Sequence, residues 1–408
     1  MNIIEIIDKK RKGKELSYKE LDYVFNGYLR KRIEDYQMSS LLMAILINGM
    51  SLEETIDLTD IFIKSGKIYN LSEVGSVVVD KHSTGGIGDT TTLVVGPIVA
   101  SLGIKMAKIS GRGLGITGGT IDKLESIPGF NVNLTEKQFI KALKEVGFVD
   151  CSQNKSLVPL DKIIYNLRNN SGTTESIPLI VSSIMSKKIA SGADIILIDI
   201  KVGKGALIKT KKDAELMAKW MKEIGKRFNK KVVTLITDMN IPLSTSIGNA
   251  LEVEEAINVL KGNRGRLYDV SKEIASILIS LAKKISINEA SDLVDEVINN
   301  RSAYNKFLEF VNYQGGDIKK LRINAKIKVI KALESGVLTN IDAEKIGLLS
   351  LKLGVGKIND REQIDYSAGI KLYKDIGDKV KKGEILATLY TNKNLKLSNE
   401  DINCFEIE

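Results

Sequence analysis

The chain contains a single histidine, His82, which lies in the segment that is richest in groups able to do chemistry. Residues 81–92 read KHSTGGIGDTTT, so Lys81 and His82 are followed by five hydroxyl side chains and three glycines. Glycine lets a backbone approach an anion closely, and its N–H groups together with Ser and Thr hydroxyls can surround phosphate oxygens. The pattern predicts a phosphate site with a titratable group beside it.

A second glycine-rich segment, SGRGLGITGGT at residues 110–120, has too many glycines for the interior of a helix or strand. Short β-branched runs at 77–80 and 105–109 precede the two segments. Loops that follow parallel strands are where α/β proteins bind ligands. Neither segment is a GxxxxGK[ST] loop or a GxGxxG turn in the context of a dinucleotide fold. Together, the two loops indicate one anion site.

The composition narrows the classes of function. The chain has 408 residues, 43% hydrophobic and 27% charged, which is typical of a globular protein with two or three domains. The net charge of +9 comes from scattered lysines without interleaved aromatics, so we expect no nucleic-acid partner. Two cysteines and one histidine exclude a zinc site and favour a cytoplasmic location. The charged N-terminus and the short apolar stretches predict no signal peptide and no membrane partner.

Helix signals dominate the first 65 residues, where two serines precede a glutamate at capping-box spacing; the pairs are Ser17 with Glu20 and Ser51 with Glu54. Thr135 and Gln138 repeat this spacing at a later helix. Helical patterns then alternate with continuous apolar runs, in the order helix 175–191, strand 194–202, helix 211–228 and strand 231–237. This alternation predicts a parallel sheet covered by helices.

Helical patterns continue to about residue 350, and residues 369–387 then alternate apolar and polar side chains around glycine turns, which predicts a β-rich module. The predicted fold is a small all-helical domain and a large α/β domain with a mostly parallel sheet, with a C-terminal α+β module. The predicted boundaries are 1–66 and 161–193 for the helical domain, 67–160 and 194–330 for the α/β domain, and 331–408 for the module.

Taken with four further segments, the two glycine-rich loops resemble the pyrimidine nucleoside phosphorylase and thymidine phosphorylase family. These segments are LR at 167–168, ESIPLIVSSIMSKKIASGAD at 175–194, DIKVGKGA at 199–206 and GNALEV at 248–253. The resemblance covers essentially the whole chain. It implies reversible phosphorolysis of pyrimidine nucleosides to free base and (deoxy)ribose 1-phosphate, in a cleft that closes between two domains. It also implies a homodimer.

The resemblance assigns roles to individual residues. The residues implied to bind phosphate are Lys81, Ser83, Gly85, Thr92, Lys108, Ser110 and Thr120. The residues implied to bind the base and sugar are Arg168, Ser183, Lys187 and Lys108, and the catalytic residues are His82, Arg168 and Lys187. The residue types suit this chemistry, because an Arg fork, an ammonium and a hydroxyl match the O2, N3 and O4 atoms of a pyrimidine. Fixed donors of this kind stabilise the negative charge that develops on the departing base.

No organic cofactor is expected, but a potassium ion is. In some relatives, the positions that match Gly88, Thr90, Leu243, Ser246 and Glu255 coordinate potassium. The segment before Glu255, IPLSTSIGNA, departs from the usual QPLG pattern. Ligation by backbone carbonyls tolerates that change.

Four positions depart from the family pattern near the nucleoside pocket, namely Ile116, Asn169, Lys204 and Leu207. Lys108, in contrast, matches the broader pyrimidine phosphorylases, and a lysine beside the sugar tolerates a 2′-hydroxyl. We therefore expect activity on uridine as well as deoxyuridine and thymidine. The alternatives are a thymidine-specific phosphorylase, a catalytically silent nucleoside-binding protein, and an anthranilate-type phosphoribosyltransferase, which has a related fold and glycine loop.

Overall fold

The computed structural model describes residues 1–113, 115–357 and 362–408. The chain begins with a group of helices: α1 (Ile3–Arg11), α2 (Tyr18–Leu29), α3 (Asp35–Asn48) and α4 (Leu52–Lys64). At the starts of α2 and α4, the serine hydroxyl accepts from the backbone N–H three residues on, and the glutamate there accepts from the serine N–H in return. Both predicted capping boxes are therefore confirmed.

A parallel sheet forms the centre of the molecule. Its strands are β1 (Val78–Ser83), β2 (Lys105–Ser110), β3 (Phe148–Ser152), β4 (Ile195–Val202) and β5 (Lys231–Asp238). They lie in the order β3-β2-β1-β4-β5, and every neighbouring pair is parallel. Strands buried on both faces are continuously apolar, which is why these runs were recognisable in the sequence. The predicted parallel sheet is confirmed.

Helices cover both faces of the sheet. Between the strands lie α5 (Thr91–Ser101), α6 (Thr120–Glu125), α7 (Glu136–Glu145), α8 (Pro159–Ser171), α9 (Ile177–Ala190) and α10 (Lys211–Arg227), and after β5 come α11 (Asn249–Leu260), α12 (Arg266–Lys283), α13 (Ile287–Asn299) and α14 (Ser302–Tyr313). Successive strand residues face opposite sides. Val79 and Met106 enter a core with α5 and α11–α14, whereas Val78 and Ala107 enter a second core with α1–α4 and α7–α10.

The chain returns to its first helices after it has formed three strands. α9 packs along α4, and α8 contacts α2, α3 and α4. The hydroxyl of Ser182 donates to the carbonyl of Thr55 at 3.2 Å, across this contact. The helical unit is therefore built from two separate stretches of chain, whereas the boundaries given above for each domain stay predictions.

The remaining elements make a mixed module of two small antiparallel sheets. These elements are β6 (Ser246–Ile247), β7 (Lys326–Lys331), β8 (Gly336–Ile341), α15 (Ala343–Leu353), β9 (Gly369–Leu372), β10 (Lys379–Val380), β11 (Ile385–Thr391), α16 (Asn399–Ile402) and β12 (Phe405–Ile407). One sheet has the order β6-β9-β11-β7 and the other β10-β8-β12. The predicted C-terminal α+β module is confirmed.

Two sequence-based expectations need correction. The helical pattern does not run uninterrupted to residue 350, because β7 and β8 lie before that point. β7 reads KIKVIK and leaves Ile327 63% exposed, so its sequence lacks the continuous apolar run that marks a buried strand. The strand forms through its pairing with β11, which lies far along the chain. In addition, β1 does not end at Asp80 but runs to Ser83, because β4 pairs with it up to Asp199.

Within the described residues, none of the helices combines the length and the apolar character that a membrane crossing requires.

Candidate active site

The central strand β1 carries three of the predicted site residues at its carboxyl end. Lys81, His82 and Ser83 are its last residues, and β4 pairs with all three. Side chains alternate along a strand, so Lys81 and Ser83 share one face and His82 occupies the other. The alternation along β1 therefore puts the lysine and the hydroxyl on one side of the sheet and the imidazole on the other.

The two glycine-rich loops lie against each other. Gly85 has a positive φ of +95°, and a Cβ placed on it would lie 3.4 Å from the hydroxyl of Thr117 in the second loop. The N–H of Gly85 donates to the hydroxyl of Ser83 at 3.1 Å. Gly88 also has a positive φ, and a Cβ there would lie 2.5 Å from the hydroxyl of Ser244. The backbone conformation thus favours glycine at both positions, and the close approach to Ser244 requires it at Gly88 as well.

Lys81 and Asp89 form the charged base of the first loop. The ammonium of Lys81 donates to the hydroxyl of Thr91 and lies 3.8 Å from the carboxylate of Asp199. Asp89 accepts from the hydroxyl of Ser83, and from the hydroxyl and N–H of Thr91 at 2.6 and 3.2 Å. Burial lowers the pKa of Lys81, and the carboxylates of Asp89 and Asp199 oppose this shift without cancelling it. Lys81 therefore loses its proton more easily than an exposed lysine.

β2 contributes Lys108 and Ser110, both buried. The ammonium groups of Lys108 and Lys188 converge on the carbonyl of Ile109, at 3.4 and 3.1 Å, and Lys188 also lies 2.9 Å from Asp80. Burial lowers the pKa of Lys108 to about 8, and the charge of Lys188 acts in the same direction. Within the part of the chain that the structure describes, Lys108 is a buried lysine without a carboxylate at ion-pair distance, although the charges of Asp150 and Asp80 partly oppose the lowering of its pKa.

The remaining predicted phosphate residues lie at the starts of helices. Thr92 is in the first turn of α5 and is buried, and Thr120 is the first residue of α6. Backbone N–H groups at helix starts point along the axis and favour an anion. Thr92 and Thr120 therefore combine a hydroxyl with N–H donors, at the ends of the two glycine loops.

The predicted base-binding residues form a separate cluster on α8 and α9. The ammonium of Lys187 lies 2.5 Å from the carboxylate of Asp161 and 2.7 Å from the hydroxyl of Ser183, one helical turn away. The guanidinium of Arg168 donates to the carbonyls of Thr173, Thr174 and Leu179, at 3.1, 2.7 and 3.2 Å. These contacts fix the cations Lys187 and Arg168 in place before any substrate arrives.

Cations from both sides act on His82. Burial lowers the pKa of His82 well below the ordinary value, and the charges of Lys188, Lys108, Lys187 and Lys81 lower it further. Two of these lysines lie on α9 and two on the strands. His82 is therefore neutral at physiological pH, because burial and four lysine charges act on its pKa in the same direction.

The positions expected to bind potassium present mainly oxygen atoms. The hydroxyl oxygen of Ser244 lies 2.8 and 2.7 Å from the carbonyl oxygens of Gly88 and Ser246 and donates its one proton to either of them, so both carbonyls face Ser244. Burial raises the pKa of Glu255, whose carboxylate accepts from the N–H and hydroxyl of Thr245 at 2.8 and 2.9 Å. Oxygen donors of this kind suit a hard cation, so these residues fit a potassium ion.

The other two positions of this set lie beside them. Leu243 donates its N–H to the carbonyl of Ile87 at 3.0 Å, which aligns its segment with the first loop. The hydroxyl of Thr90 donates to Glu252 at 2.5 Å and keeps its oxygen lone pairs, whereas the carbonyl of Thr90 accepts from the N–H of Leu93 at 3.0 Å.

Sequence reasoning missed the acidic residues that hold these cations. Asp161, Asp89, Asp199 and Asp80 are buried or largely enclosed, and each faces a site lysine. The position of Asp80 and Asp199 within apolar strands could have predicted these pairs, because a buried carboxylate needs a charged partner. Asp161 could not be matched to Lys187 from the sequence, because the two lie on different helices.

The departures from the family pattern have distinct surroundings. Ile116 packs against Ile87 of the first loop and Gly347 of α15 as part of the core. Leu207 packs against the second core, on the side of the base cluster. Lys204 is exposed and lies 3.4 Å from Asp342, while Asn169 is exposed on α8.

Comparison with known proteins identifies the family of this chain. Three family models match: the helical bundle domain of the glycosyl transferase family at residues 4–66, the a/b domain of the glycosyl transferase family at 75–304, and the pyrimidine nucleoside phosphorylase C-terminal domain at 337–401. The pyrimidine-nucleoside phosphorylase of Bacillus subtilis is 46% identical over 401 residues, which cover 96% of this chain and 93% of that protein. The namesake enzyme of Geobacillus stearothermophilus is 45% identical over the same shares.

A solved structure shares the fold. Anthranilate phosphoribosyltransferase from Thermus thermophilus superposes with a TM-score of 0.60 at 17% identity, over 76% of this chain and 98% of that one. At this identity the likeness concerns the fold alone. The three matching family models and the 46% identity to the Bacillus subtilis enzyme, in contrast, show the family. The chain belongs to the pyrimidine-nucleoside phosphorylase family of glycosyl transferases.

Proposed function

We propose that this protein catalyses the reversible phosphorolysis of pyrimidine nucleosides, yielding the free base and (deoxy)ribose 1-phosphate. The observation that carries the proposal is the arrangement of charge around His82. The charges of Lys81 and Lys108 on the strands and of Lys187 and Lys188 on α9 all lower the pKa of His82. In the proposal Lys81 and Lys108 meet the attacking phosphate, and Lys187 meets the negative charge on the departing base.

The mechanism follows from this division. Phosphate, held by Lys81, Ser83 and the first loop, attacks C1′ of the sugar on the face opposite the base. The glycosidic bond lengthens, and negative charge moves onto the base, where Arg168 and Lys187 stabilise it. Fixed donors of this type typically contribute about 10²–10³ each in turnover. The bond from C1′ to a phosphate oxygen forms as the bond to the base nitrogen breaks.

His82 acts in this scheme as a neutral hydrogen-bond donor to O2 of the base. An imidazolium is not needed, because the cations nearby already supply the positive charge. Their charges also keep the imidazole unprotonated. The base therefore leaves as a stabilised anion and takes its proton afterwards.

Domain closure is part of the proposal. The phosphate residues lie on the α/β unit and the base residues Arg168, Ser183 and Lys187 on α8 and α9, which pack with the first helices. A cleft between two such units brings phosphate and base together when it closes, and this excludes water from the reacting atoms. Closure then favours phosphate over water as the nucleophile.

The proposed substrates are uridine, deoxyuridine and thymidine rather than thymidine alone. Lys108 is buried beside the phosphate cradle, and its ammonium makes the weak contact with the Ile109 carbonyl noted above. An N–H donor in that position can bond to the 2′-hydroxyl of a ribonucleoside as well as to phosphate. A thymidine-specific enzyme is the second candidate.

A potassium ion, if held by Gly88, Thr90, Leu243, Ser246 and Glu255, would fix the start of α5 relative to α11. When bound it would supply structural charge between the first loop and the Glu255 carboxylate. This chain's own residues already connect the two, since Thr90 donates to Glu252.

We also propose that the protein is a homodimer in the cytoplasm. Large apolar side chains are exposed together on the first and third helices, where Ile4 is 58% and Ile47 73% exposed, along with Tyr36 at 71%. Isolated exposed apolar residues are ordinary, but several on two packed helices suggest a protein interface.

The remaining alternatives are a silent nucleoside binder and an anthranilate-type phosphoribosyltransferase. The identity to pyrimidine-nucleoside phosphorylases is far higher than that to the phosphoribosyltransferase. The silent binder gains support only from Ile116 and Leu207, which leave the charged anchors intact.

Release of free base, followed by ultraviolet absorbance, tests the proposal. Uridine, deoxyuridine and thymidine are each incubated with the protein, with and without inorganic phosphate. Release that requires phosphate supports the phosphorylase, and comparable rates for uridine and thymidine support the broad preference. Binding of nucleoside by folded protein without any release would favour the silent binder, whereas release from thymidine alone would favour the narrow enzyme.

A further inference from the structure

A second buried lysine, Lys201, lies close to Lys81 and has no role in the mechanism proposed for phosphorolysis. It follows Asp199 by two residues on β4, and its side chain is completely buried. A buried ammonium is costly unless it is paired. Its ammonium lies 2.8 Å from Oδ2 of Asp199, and the ammonium of Lys81 lies 3.8 Å from the same oxygen. One carboxylate oxygen therefore faces two lysines.

Each oxygen of the Asp199 carboxylate has its own neighbour, a hydrogen-bond donor at Oδ1 and an ion-pair partner at Oδ2. Its Oδ1 accepts from the hydroxyl of Thr237 at 2.7 Å, and its Oδ2 is closest to Lys201. Lys81 stays outside hydrogen-bond distance of Asp199, and in the described parts of the chain its one hydrogen bond goes to Thr91. An ammonium has three donors, so Lys81 keeps two of them for other oxygens.

The two lysines also differ in how firmly they hold a proton. Burial disfavours the charge of Lys201, but Asp199 and Asp89 outweigh it, so its pKa is raised. For Lys81, burial wins over the same two carboxylates, so its pKa is lowered. The negative charge of Asp199 is thus taken up mainly by Lys201.

We propose that Lys201 is a positioning residue of the phosphate site, which occupies Asp199 and so keeps Lys81 available for phosphate oxygens. The proposal rests on the proposed function, since it assumes that phosphate is a substrate bound by Lys81. Without Lys201, the buried Asp199 loses its ion-pair partner, and Lys81 is the neighbouring cation that can replace it. Phosphate then has to break a Lys81–Asp199 pair before it binds.

The test is a set of variants in which KM for phosphate and KM for uridine are measured separately. Lys201→Met keeps the length of the side chain but removes the charge. We expect KM for phosphate to rise about tenfold or more, since hydrogen bonds to charged groups are among the strong ones, while KM for uridine changes little. Lys201→Arg keeps the charge and is expected to stay within about threefold of the parent protein.

A double variant separates this role from a merely structural one. In Lys201→Met with Asp199→Asn, no carboxylate remains at position 199 to capture Lys81. KM for phosphate is then expected to return to within about threefold of the parent value, although two buried groups have been changed. If Lys201 only supports the fold, the two substitutions add, and the double variant is worse than either single one.

Thr237→Val provides the test if Lys201→Met does not fold, as judged by thermal unfolding. It removes the hydroxyl that shares Asp199, so KM for phosphate is expected to rise about threefold or more. Thr234→Val, on the same strand, is the matched control without an expected effect. An unchanged KM for phosphate in the folded Lys201→Met or Thr237→Val variant overturns the proposal. Absence of phosphate-dependent release by the parent protein would instead contradict the proposed function.

Discussion

The ammonium of Lys187 lies 2.5 Å from the carboxylate of Asp161, which is 2% exposed and belongs to the neighbouring helix α8. A buried carboxylate holds its partner in one direction more firmly than solvent can, because neither group is free to turn away. Ser183 holds the same ammonium from one helical turn away. The cation proposed to bind the base is therefore positioned by residues of both α8 and α9.

Asp161→Asn is expected to lower kcat/KM for uridine about 10²-fold, because Lys187 loses its charged partner and with it a fixed position. KM for phosphate is expected to stay near the parent value, since Asp161 does not face the phosphate cradle. Initial rates with each substrate varied in turn measure both effects. An equal rise in both KM values would contradict this account of Asp161.

His82→Gln is expected to lower kcat about 10²-fold, because one hydrogen bond to the departing base is lost. The parent protein gives a second test through its pH profile. Burial and the surrounding lysines lower the pKa of His82, so the imidazole is neutral at all pH values above its ordinary value. Inorganic phosphate itself gains a proton in this range, so the profile of kcat/KM for uridine is compared with that of His82→Gln, and we expect the two to have the same shape as the pH is lowered through about 6.5. A fall there that disappears in His82→Gln would show that the imidazole titrates normally.

Lys108 is expected to set the alkaline limit of the reaction. Its pKa is lowered to about 8 by burial, so it is charged below that pH and loses its charge as the pH rises through it. We expect kcat/KM for phosphate to fall as the pH rises through this pKa and the fall to be absent in Lys108→Met.

The same variant tests the role of Lys108 in substrate choice. Loss of the ammonium is expected to reduce activity on uridine more than activity on deoxyuridine, because only uridine has the 2′-hydroxyl. Equal losses on the two nucleosides would confine Lys108 to phosphate binding.

Glu54 is expected to be a stability residue of the helical unit. Its carboxylate lies 2.8 Å from the ammonium of Lys10, and both side chains are 3% exposed. Removing one partner of a buried pair typically costs about 3–5 kcal/mol, because the other charge stays buried. Glu54→Gln should therefore lower the free energy of unfolding by about 3 kcal/mol, measured with urea.

Glu215→Gln is the control, since Glu215 pairs with Lys211 on an exposed helix face. The change in its free energy of unfolding should stay below about 1 kcal/mol. Similar losses in the two variants would mean that burial does not strengthen the Lys10–Glu54 pair.

Local signals made the architecture predictable from the sequence. Capping boxes at Ser17, Ser51 and Thr135 mark helix starts through contacts between residues three apart, and the structure contains all of them. The apolar runs of β4 and β5 reflect burial on both faces. β7 was missed because its pairing partner β11 lies far along the chain and its own side chains are largely exposed.

The candidate site was only partly predictable, for the same reason. Lys81, His82 and Ser83 were found because they stand beside glycines in one short segment. Asp89 lies in the same segment, but Asp199 comes from another strand, and nothing local links Asp199 to the loop. His82 was expected in a loop, but sheet pairing extends β1 through it. Contacts between residues far apart in the sequence thus hold the site lysines, and such contacts are not predictable from local sequence patterns.

The central claim is that phosphate, rather than water, attacks the sugar. The most direct test measures the initial rate of uracil release from uridine as the phosphate concentration is varied, together with the amount of ribose 1-phosphate formed. We expect a rate that is negligible without phosphate and saturates as phosphate is added, with base and sugar phosphate formed in equal amounts. Release of uracil at the same rate without phosphate, with free ribose as the product, would contradict it.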